Sequence, residues 1–510
     1  MPQKKIVVWL IMIFVCGALV RLPHFLTVIP NAGVWESKIA WYDEVLSIHF
    51  ASQEINSTIA LSGLDTSPCL FFMILHFWLL IFSNASVFVA AILPFLFSLA
   101  GIVAIYFLGR RIYDEKIGLF SAALLALSPL NIQYATEIRV YSLLVFLTIL
   151  FLLFLWRIKD LSKIKDWTGF IICSLLLLYA HYTAIILIIF GFMFLVFFKR
   201  NETKKIIFSF FAISVGVIPL ILIFQRWTDF VGANFSFFSR FFSHGGLLSF
   251  FQYLYFISFG SSGADGAMII FSLLIAGFFI YFWRRSVDIN SRVLIVFVIA
   301  GWLALAGFKF IYHERYYLIL TIPLILLAAV ALRIVFEKYR LVSVIGGLLF
   351  LFIFIFSCYI VPPEHAYKYF TPEFVKIINS QYQTGDVIIA DHYSKLLWNQ
   401  YYPGPAEIKL FFPYENELLP ADSNLRWRFS DYANVNSDNV VLFDNLVKNE
   451  QRFWIVMFNP LNYSVQDPQG LLPEYLDSHY SRWATYFFPL FVSKNDFQVE
   501  LRLYVVKPAD

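Results

Sequence analysis

The residues best suited to acid–base and anion chemistry lie in short segments between long apolar stretches. A carboxylate can accept the proton of a hydroxyl, and an arginine binds phosphate oxygens through two parallel hydrogen bonds. Carboxylates together with a histidine can hold a divalent metal. These residue types recur where apolar stretches end, which suits a site for an anionic lipid head group. The candidates are Asp43, Glu44, Asp65, Glu137, Arg139, Tyr141, His181, Lys309, His313, Arg315 and Tyr316.

The apolar stretches that separate these candidates predict a mainly α-helical, multi-pass membrane protein. Only 14% of the 510 residues are charged and 60% are hydrophobic, whereas a soluble globular chain has roughly 25% charged residues. Windows of about 20 apolar residues, enough to cross a bilayer as a helix, recur up to about residue 360. The predicted spans, about eleven in number, lie near 6–28, 86–109, 117–135, 138–156, 167–180, 183–198, 206–225, 266–283, 293–311, 316–332 and 341–361.

Basic residues in every second loop predict the orientation of these spans, because cytoplasmic loops of membrane proteins are enriched in lysine and arginine. The N-terminus is therefore predicted to be cytoplasmic, and the candidate residues and the C-terminal region extracytoplasmic. The apolar stretch 68–82 is short for a span and is predicted to lie in the outer interface. The net charge of +4 reflects these loops and does not indicate a nucleic-acid partner. The basic loops are 4–5, 110–116, 157–165, 199–205, 284–292 and 333–340.

Residues 362–510 have the pattern of a water-soluble domain. Helices are predicted at 373–382 and 438–450, and strands at 386–390, 453–458 and 499–506. Alternation of helices and strands is typical of a small α/β domain. The chain is therefore predicted to comprise a membrane domain, 1–361, and an extracytoplasmic α/β domain, 362–510.

Several short motifs follow one another in a fixed order over roughly residues 15–335. Each motif alone is common, but together they resemble the GT-C membrane glycosyltransferases of the protein mannosyltransferase and aminoarabinose transferase group. The C-terminal domain resembles the extracytoplasmic domain that many of these proteins carry. The motifs are Arg21, Trp41–Tyr42–Asp43–Glu44, Thr66–Ser67–Pro68 with Leu75–His76–Phe77–Trp78, Gly109–Arg110–Arg111, Ala126–Leu127–Ser128–Pro129 with Glu137, Arg139 and Tyr141, Tyr179–Ala180–His181–Tyr182, and Glu314–Arg315–Tyr316 with Pro323.

The resemblance implies an inverting transfer of a sugar from a polyprenyl-phosphate donor on the extracytoplasmic face of the cell membrane. The acceptor hydroxyl belongs to a protein, a lipid or a glycan. By position, Asp43 would be the base, with Glu44 beside it, and Asp65 would bind a metal, together with His181, or orient the donor. Arg139, Arg315, Tyr316 and Lys309 would contact the donor phosphate, while Glu137, Tyr141 and His313 would complete the active site.

Most of the candidates also have a structural interpretation. Asp43 could be a solvated loop acid, and Arg315 with Tyr316 could be an interfacial anchor pair. Glu44 could cap a helix, and Asp65 could cap the helix that begins near Pro68. Glu137 and Arg139 could pair with each other, and His181 could be a hydrogen-bonded turn residue.

Alternative functions also stay open at this point. A transporter or flippase of lipid-linked sugars would need charged or broken helices near the midplane, and the spans are nearly free of such charges. A polymerase or ligase of surface polysaccharide would use similar donors. A non-catalytic scaffold would need no acid–base cluster.

Overall fold

The computed structural model describes residues 3–29, 34–38, 40–63, 65, 67–83, 85–233, 288–307, 314–338, 371–390, 392–411, 437–459, 471–490 and 497–506. Within these residues, five helices are long and apolar enough to cross a membrane, and three further apolar helices are shorter. The helices of the membrane domain are α1 (Gln3–Leu19), α2 (Tyr42–Ala51), α3 (Ile55–Ser62), α4 (Leu70–Phe82), α5 (Val87–Ile112), α6 (Glu115–Ala126), α7 (Pro129–Gln133), α8 (Tyr141–Asp160), α9 (Ile164–Ala180), α10 (Ala184–Phe198), α11 (Thr203–Ala233), α12 (Ile289–Gly307) and α13 (Leu318–Lys338).

Most of the predicted spans coincide with these helices where the structure describes them, and the multi-pass helical fold is confirmed. The span predicted at 6–28 is shorter: α1 ends at Leu19, a 3-10 turn covers Leu22–Phe25, and Leu26–Ile29 is a strand. The spans predicted at 266–283 and 341–361 lie outside the described residues. The span predicted at 117–135 is broken into α6 and α7. Pro129 occupies the first turn of α7 and Ser128 before it is extended, because a residue that precedes proline is disfavoured in the helical conformation.

The apolar stretch predicted at 68–82 forms α4, which has 13 residues and is therefore about 20 Å long. This is shorter than a bilayer core of about 30 Å. Phe71, Phe72 and Leu75 on one face are buried, whereas Leu80 and Ile81 on another are exposed. One face of the helix is thus buried and another is exposed, as expected for a helix that lies along one end of the bundle.

Arg21 joins the end of α1 to two later helices. Its Nε donates to the Ser98 Oγ at 2.9 Å, and its Nη1 donates to the carbonyls of Gly17 at 2.8 Å and Ala126 at 2.7 Å. Its Nη2 donates to the Leu125 carbonyl at 3.2 Å. The side chain is fully buried, and its donors satisfy the last carbonyls of α6, which have no partner within their own helix.

Helix α8 connects two polar ends of the bundle. It begins at Tyr141, among the candidate residues, and ends at Asp160, among the basic loops. We call residues 38, 40–47, 65, 67, 134–141, 181–183 and 315–317 the site end, and residues 110–116, 157–166, 288–292 and 333–338 the basic end. At the basic end, ion pairs join Arg111 to Asp160 at 2.8 Å, Arg157 to Asp166 at 2.7 Å, Lys116 to Glu337 at 2.9 Å, and Arg333 to Asp114.

The C-terminal region contains a five-stranded mixed sheet, which confirms the predicted α/β class. An antiparallel hairpin, β1 (Leu26–Ile29) with β2 (Val34–Ser37), lies before the site end and is separate from this sheet. The strands of the sheet are β3 (Asp386–Ala390), β4 (Glu407–Leu410), β5 (Arg452–Asn459), β6 (Ser481–Leu490) and β7 (Phe497–Val505). Their order in the sheet is β4-β3-β5-β7-β6. Strand β3 is parallel to β4 and β5, while β7 is antiparallel to β5 and β6.

Helices cover both faces of this sheet. Alternate residues of β3 enter different cores: Val387 and Ile389 pack in one, and Ile388 and Ala390 in the other, as the period of a strand requires. The C-terminal helices are Thr371–Gln381, His392–Tyr401, Ser437–Val440, Phe443–Val447 and Leu471–His479. The helix predicted at 438–450 is thus two short helices, and the helices His392–Tyr401 and Leu471–His479 were not predicted.

Candidate active site

Helix α2 presents two adjacent carboxylates in its first turn, where the helix dipole favours negative charge. The Glu44 carboxylate accepts hydrogen bonds from the backbone N–H of Trp41 at 3.1 Å and of Ile138 at 2.9 Å. It also pairs with the Lys38 Nζ at 2.8 Å. Glu44 is fully buried, so its carboxylate caps α2 and ties that helix to the segment before α8. This geometry favours the structural interpretation of Glu44.

The neighbouring Asp43 faces Arg315. The Arg315 Nη1 lies 3.5 Å from the Asp43 Oδ2, and both side chains are 13% exposed. The guanidinium also lies 5.9 Å from the ring centre of Trp41, 5.7 Å from that of Tyr141 and 5.9 Å from that of Tyr316. Aromatic faces attract a cation without using its N–H donors. Asp43 and Arg315 therefore share one aromatic-walled pocket, and the contact between them is long.

Asp65 and Arg139 form a buried, bidentate ion pair. The Arg139 Nη2 donates to the Asp65 Oδ1 at 2.8 Å and the Nη1 donates to the Oδ2 at 3.1 Å. Arg139 also donates to the Ser47 Oγ at 3.3 Å, and the backbone N–H of Ser67 donates to the Asp65 Oδ1 at 3.0 Å. The pair thus binds α2, the segment before α4 and the start of α8 together. Arg139 pairs with Asp65 rather than with the Glu137 carboxylate that its sequence position suggested.

His181 lies in the turn between α9 and α10. Its Nδ1 accepts the backbone N–H of Thr183 at 3.2 Å, so in the neutral ring the proton is on Nε2. Burial and the nearby charges of Arg315 and Arg139 lower the pKa of His181 to about 3. The ring lies 5.3 Å from that of Tyr316. His181 is therefore a neutral donor beside the Asp43–Arg315 pocket.

Several buried polar atoms of the site end have no hydrogen-bond partner among the described residues. Buried polar groups are nearly always paired, so a group of such atoms indicates space for a polar ligand or ordered water. These atoms are the Nε of Arg139, the Nε of Arg315, the Nε2 of His181, the hydroxyl of Tyr141 and the Oγ of Ser67.

The other candidate residues are placed as follows. Glu137 is buried at the site end, and its carbonyl accepts the backbone N–H of Arg139 at 2.7 Å. Lys309 and His313 lie outside the described residues.

The side-chain atoms available at the site end do not fit the metal site suggested for Asp65 and His181. Both Asp65 oxygens accept hydrogen bonds from Arg139, and a cation would have to displace that guanidinium. Within the described ranges, no group of three or more His, Cys, Asp or Glu residues could hold a metal ion.

Sequence reasoning missed residues whose role is to hold the candidates. Lys38, Ser47 and Thr183 each contact a candidate through a side chain or backbone N–H. Only Thr183 had a local signal, because a hydroxyl two residues after a histidine can reach its ring. Lys38 and Ser47 are common loop and helix residues whose partners depend on the fold.

Comparison with known proteins agrees with this architecture. The sequence pattern of the family described as dolichyl-phosphate-mannose-protein mannosyltransferase matches residues 66–227. None of the curated protein sequences matches the chain.

Solved structures extend the likeness to almost the whole chain. ArnT from Cupriavidus metallidurans in the apo state is 15% identical with a TM-score of 0.56, and 98% of each chain is covered. The same protein bound to undecaprenyl phosphate is 14% identical with a TM-score of 0.55 and the same coverage. The Archaeoglobus fulgidus oligosaccharyltransferase complex with Zn and sulfate is 15% identical with a TM-score of 0.49, covering 95% of this chain and 72% of that one. The resemblance predicted from the motifs is thus confirmed: the chain has the fold of ArnT, and its residues 66–227 match the mannosyltransferase family.

Proposed function

We propose that this protein is an inverting glycosyltransferase that moves a sugar from a polyprenyl-phosphate donor to an acceptor hydroxyl. The observation that carries the proposal is the placement of Asp43 beside Arg315, at 3.5 Å, in a buried pocket walled by aromatic rings. A base and an anion-binding group are the two functions that such a transfer requires. The family match over 66–227 and the ArnT structure with undecaprenyl phosphate support this class of donor.

Arg315 is the proposed ligand of the donor phosphate. Its guanidinium has one long contact with a carboxylate and three aromatic neighbours, and its Nε has no hydrogen-bond partner among the described residues. An arginine with donors to spare can bind a phosphate through two parallel hydrogen bonds. The neutral His181 supplies a further N–H donor nearby.

Asp43 is the proposed base. In a single displacement, the acceptor hydroxyl gives its proton to the Asp43 carboxylate while its oxygen forms a bond to the anomeric carbon. The bond from that carbon to the phosphate oxygen breaks, and its electron pair leaves with the polyprenyl phosphate. The developing charge on the phosphate is stabilised by Arg315 and by the Nε2–H of His181, which are held in place beforehand.

Asp65, Arg139 and Glu44 are proposed to position this pocket. The Asp65–Arg139 pair is 2% exposed or less, and the Glu44 carboxylate already has three partners. The proposal therefore departs from the expectation that Arg139 contacts the phosphate. Ser47, one turn after Asp43 in α2, is the group through which Arg139 supports the base.

The site end is proposed to lie on the extracytoplasmic side of the cell membrane. The opposite end contains the loops rich in lysine and arginine, which favour the cytoplasm. A lipid-linked donor would then reach the pocket from the outer leaflet, and the acceptor, a protein, lipid or glycan, would approach from outside.

The experiment is transfer by the purified protein in lipid nanodiscs. Labelled polyprenyl-phosphate sugars are mixed with candidate acceptors, with and without a chelator, and compared for wild type, Asp43→Asn and Asp160→Asn. Loss of general-base catalysis lowers the rate by about 10²- to 10⁴-fold. Asp160 is an exposed carboxylate of the basic end that pairs with Arg111, so its variant serves as the matched control with wild-type transfer.

Two outcomes would overturn the proposal. One is that no lipid-linked donor is consumed by wild type with any acceptor class. The other is that Asp43→Asn transfers sugar as fast as wild type. Movement of intact donor across the bilayer of a liposome, without transfer, would instead support the flippase alternative.

A further inference from the structure

The helix His392–Tyr401, which we call the docking helix, links the C-terminal domain to the membrane domain. Leu396 and Leu397 are buried in the core of the membrane helices, while Trp398 and Tyr402, the residue after the helix, are buried against the sheet. Residues four apart lie on one face of a helix, so 397 and 401 share one face and 398 and 402 share another. The helix therefore packs against both cores, and Tyr401 packs against each of them.

Tyr401 extends from this helix to the segment that precedes the proposed base. Its hydroxyl accepts the backbone N–H of Ala40 at 2.6 Å and donates to the Ala40 carbonyl at 3.1 Å. Both polar groups of one backbone residue are thus satisfied by one side chain. Burial raises the pKa of the Tyr401 phenol, so the hydroxyl keeps the proton that it donates.

The segment that Tyr401 holds leads directly into the proposed active site. Ala40 is followed by Trp41, the N-cap of α2 and a wall of the Arg315 pocket, and Asp43 lies in the first turn of that helix. On the other side, Glu44 ties the same segment to Lys38 and to the backbone of Ile138. The start of α2 is thus held from the membrane domain by Glu44 and from the C-terminal domain by Tyr401.

We infer that Tyr401 is a positioning residue for Asp43, and that the C-terminal domain contributes to transfer by fixing the start of α2 through the Ala40 backbone. The inference rests on the proposed function, because it assigns a role in that reaction. A base that is displaced by about 1 Å loses up to about 10²-fold in rate. A hydrogen-bonding clamp three residues before Asp43 limits such a displacement.

The test compares Tyr401→Phe with Tyr402→Phe in the full-length protein. Each substitution removes one hydroxyl and keeps the ring. The Tyr402 hydroxyl accepts the backbone N–H of Ala406 at 3.2 Å, a contact within the C-terminal domain, so Tyr402→Phe is the matched control. We expect Tyr401→Phe to lower kcat about tenfold with the donor KM unchanged, and Tyr402→Phe to leave both constants at wild-type values.

A second measurement does not depend on catalysis. Hydrogen exchange of the amides of residues 38–51, followed by mass spectrometry, reports how firmly this segment is held. We expect exchange at Ala40 and the first turn of α2 to be about five- to tenfold faster in Tyr401→Phe and unchanged in Tyr402→Phe.

The outcomes separate this inference from the proposed function. Faster exchange with a lower kcat in Tyr401→Phe alone supports it. Wild-type exchange in Tyr401→Phe, or a kcat equal to that of wild type, refutes it even if the protein transfers sugar. If wild type transfers no sugar, the proposed function fails and the exchange result alone decides whether the clamp exists.

Discussion

The arginines at the two ends of the helical bundle have different partners. At the basic end, Arg157 lies 2.7 Å from the Asp166 carboxylate, and Arg111 lies 2.8 Å from that of Asp160. At the site end, Arg139 is paired just as closely with Asp65, but the Arg315 guanidinium lies 3.5 Å from the Asp43 carboxylate and close to three aromatic rings. Among the described residues, Arg315 thus lacks the close carboxylate partner that the other three arginines have. A function is expected where charged groups are not fully paired within the protein.

The largest expected effect concerns the buried, bidentate ion pair of Asp65 and Arg139 at the site end. Arg139→Met leaves the Asp65 carboxylate buried without its cation, which is expected to lower the free energy of unfolding by about 3–5 kcal/mol. Asp65→Leu combined with Arg139→Met is expected to recover most of that loss, because no charge is left unpaired. Thermal unfolding in detergent measures both variants. If Arg139→Met unfolds like wild type but no longer binds polyprenyl phosphate, Arg139 is a phosphate ligand and the pair does not have the structural role.

The next effect compares an arginine from each end. Arg315→Gln is expected to lower the transfer rate by about 10²- to 10³-fold, because the charge on the leaving phosphate is no longer stabilised. Arg157→Gln is expected to leave the rate per folded molecule unchanged, since its partner Asp166 lies at the basic end. The rates are measured on protein selected for folding by size-exclusion chromatography. Equal losses in the two variants would remove the distinction between the ends.

A smaller effect is expected at His181, the neutral donor. His181→Phe removes both ring nitrogens but keeps a planar ring beside Tyr316. It is expected to lower the rate on the order of tenfold to a hundredfold, the value of one hydrogen bond to a charged group. Transfer assays at pH 7.5 measure it, and a wild-type rate in His181→Phe would mean that the ring only shapes the turn.

The pKa of His181 also predicts how stability depends on pH. The folded ring has a pKa of about 3 against an ordinary value of 6.5. Above pH 6.5 the ring is neutral in both states and has no effect. As the pH falls from 6.5 towards 3, only the unfolded chain gains the proton, so stability decreases. The fall in unfolding temperature between pH 7.5 and 4.5 is therefore expected to be smaller in His181→Gln, and an equal fall would contradict the lowered pKa.

The smallest effect is expected at the exposed part of the basic end. Lys116 and Glu337 pair at 2.9 Å but are 52% and 47% exposed. Lys116→Gln is expected to change the free energy of unfolding by less than about 1 kcal/mol and the transfer rate not at all. Thermal unfolding and the transfer assay check this. A clear loss of transfer would show that the basic end takes part in the reaction.

Much of the fold could be predicted from local pattern. The long apolar runs predicted the helices α5, α8 and α11. Strand β3 was predicted at its observed limits, 386–390. The break between α6 and α7 had a local signal, Ser128–Pro129, but a continuous apolar run outweighed it. The docking helix was missed because its apolar residues serve two cores and so do not form the single stripe that predicts an amphipathic helix.

The residues of the candidate site could be predicted from the sequence, but the ion pairs between them could not. The order of the motifs placed Asp43, Asp65, Arg139, His181 and Arg315 at one end, and the structure brings them together there. Which arginine would be neutralised could not be predicted, because the partner of Arg139 lies 74 positions away. A sequence pattern also could not show that three donors would bind the Glu44 carboxylate. Among the described residues, the neighbouring Asp43 carboxylate has one long contact, with Arg315.

Arg21 has a consequence for how the protein is made. Its side chain belongs to the first helix, but one of its carbonyl partners, Ala126, is 105 residues later in the chain. At a synthesis rate of about 5–20 residues per second, the nascent protein spends roughly 5–20 s before this guanidinium can reach its acceptors on α6. During that interval the charge has to stay in water or among lipid head groups, so the first helix can settle to its final depth only after the sixth has been inserted.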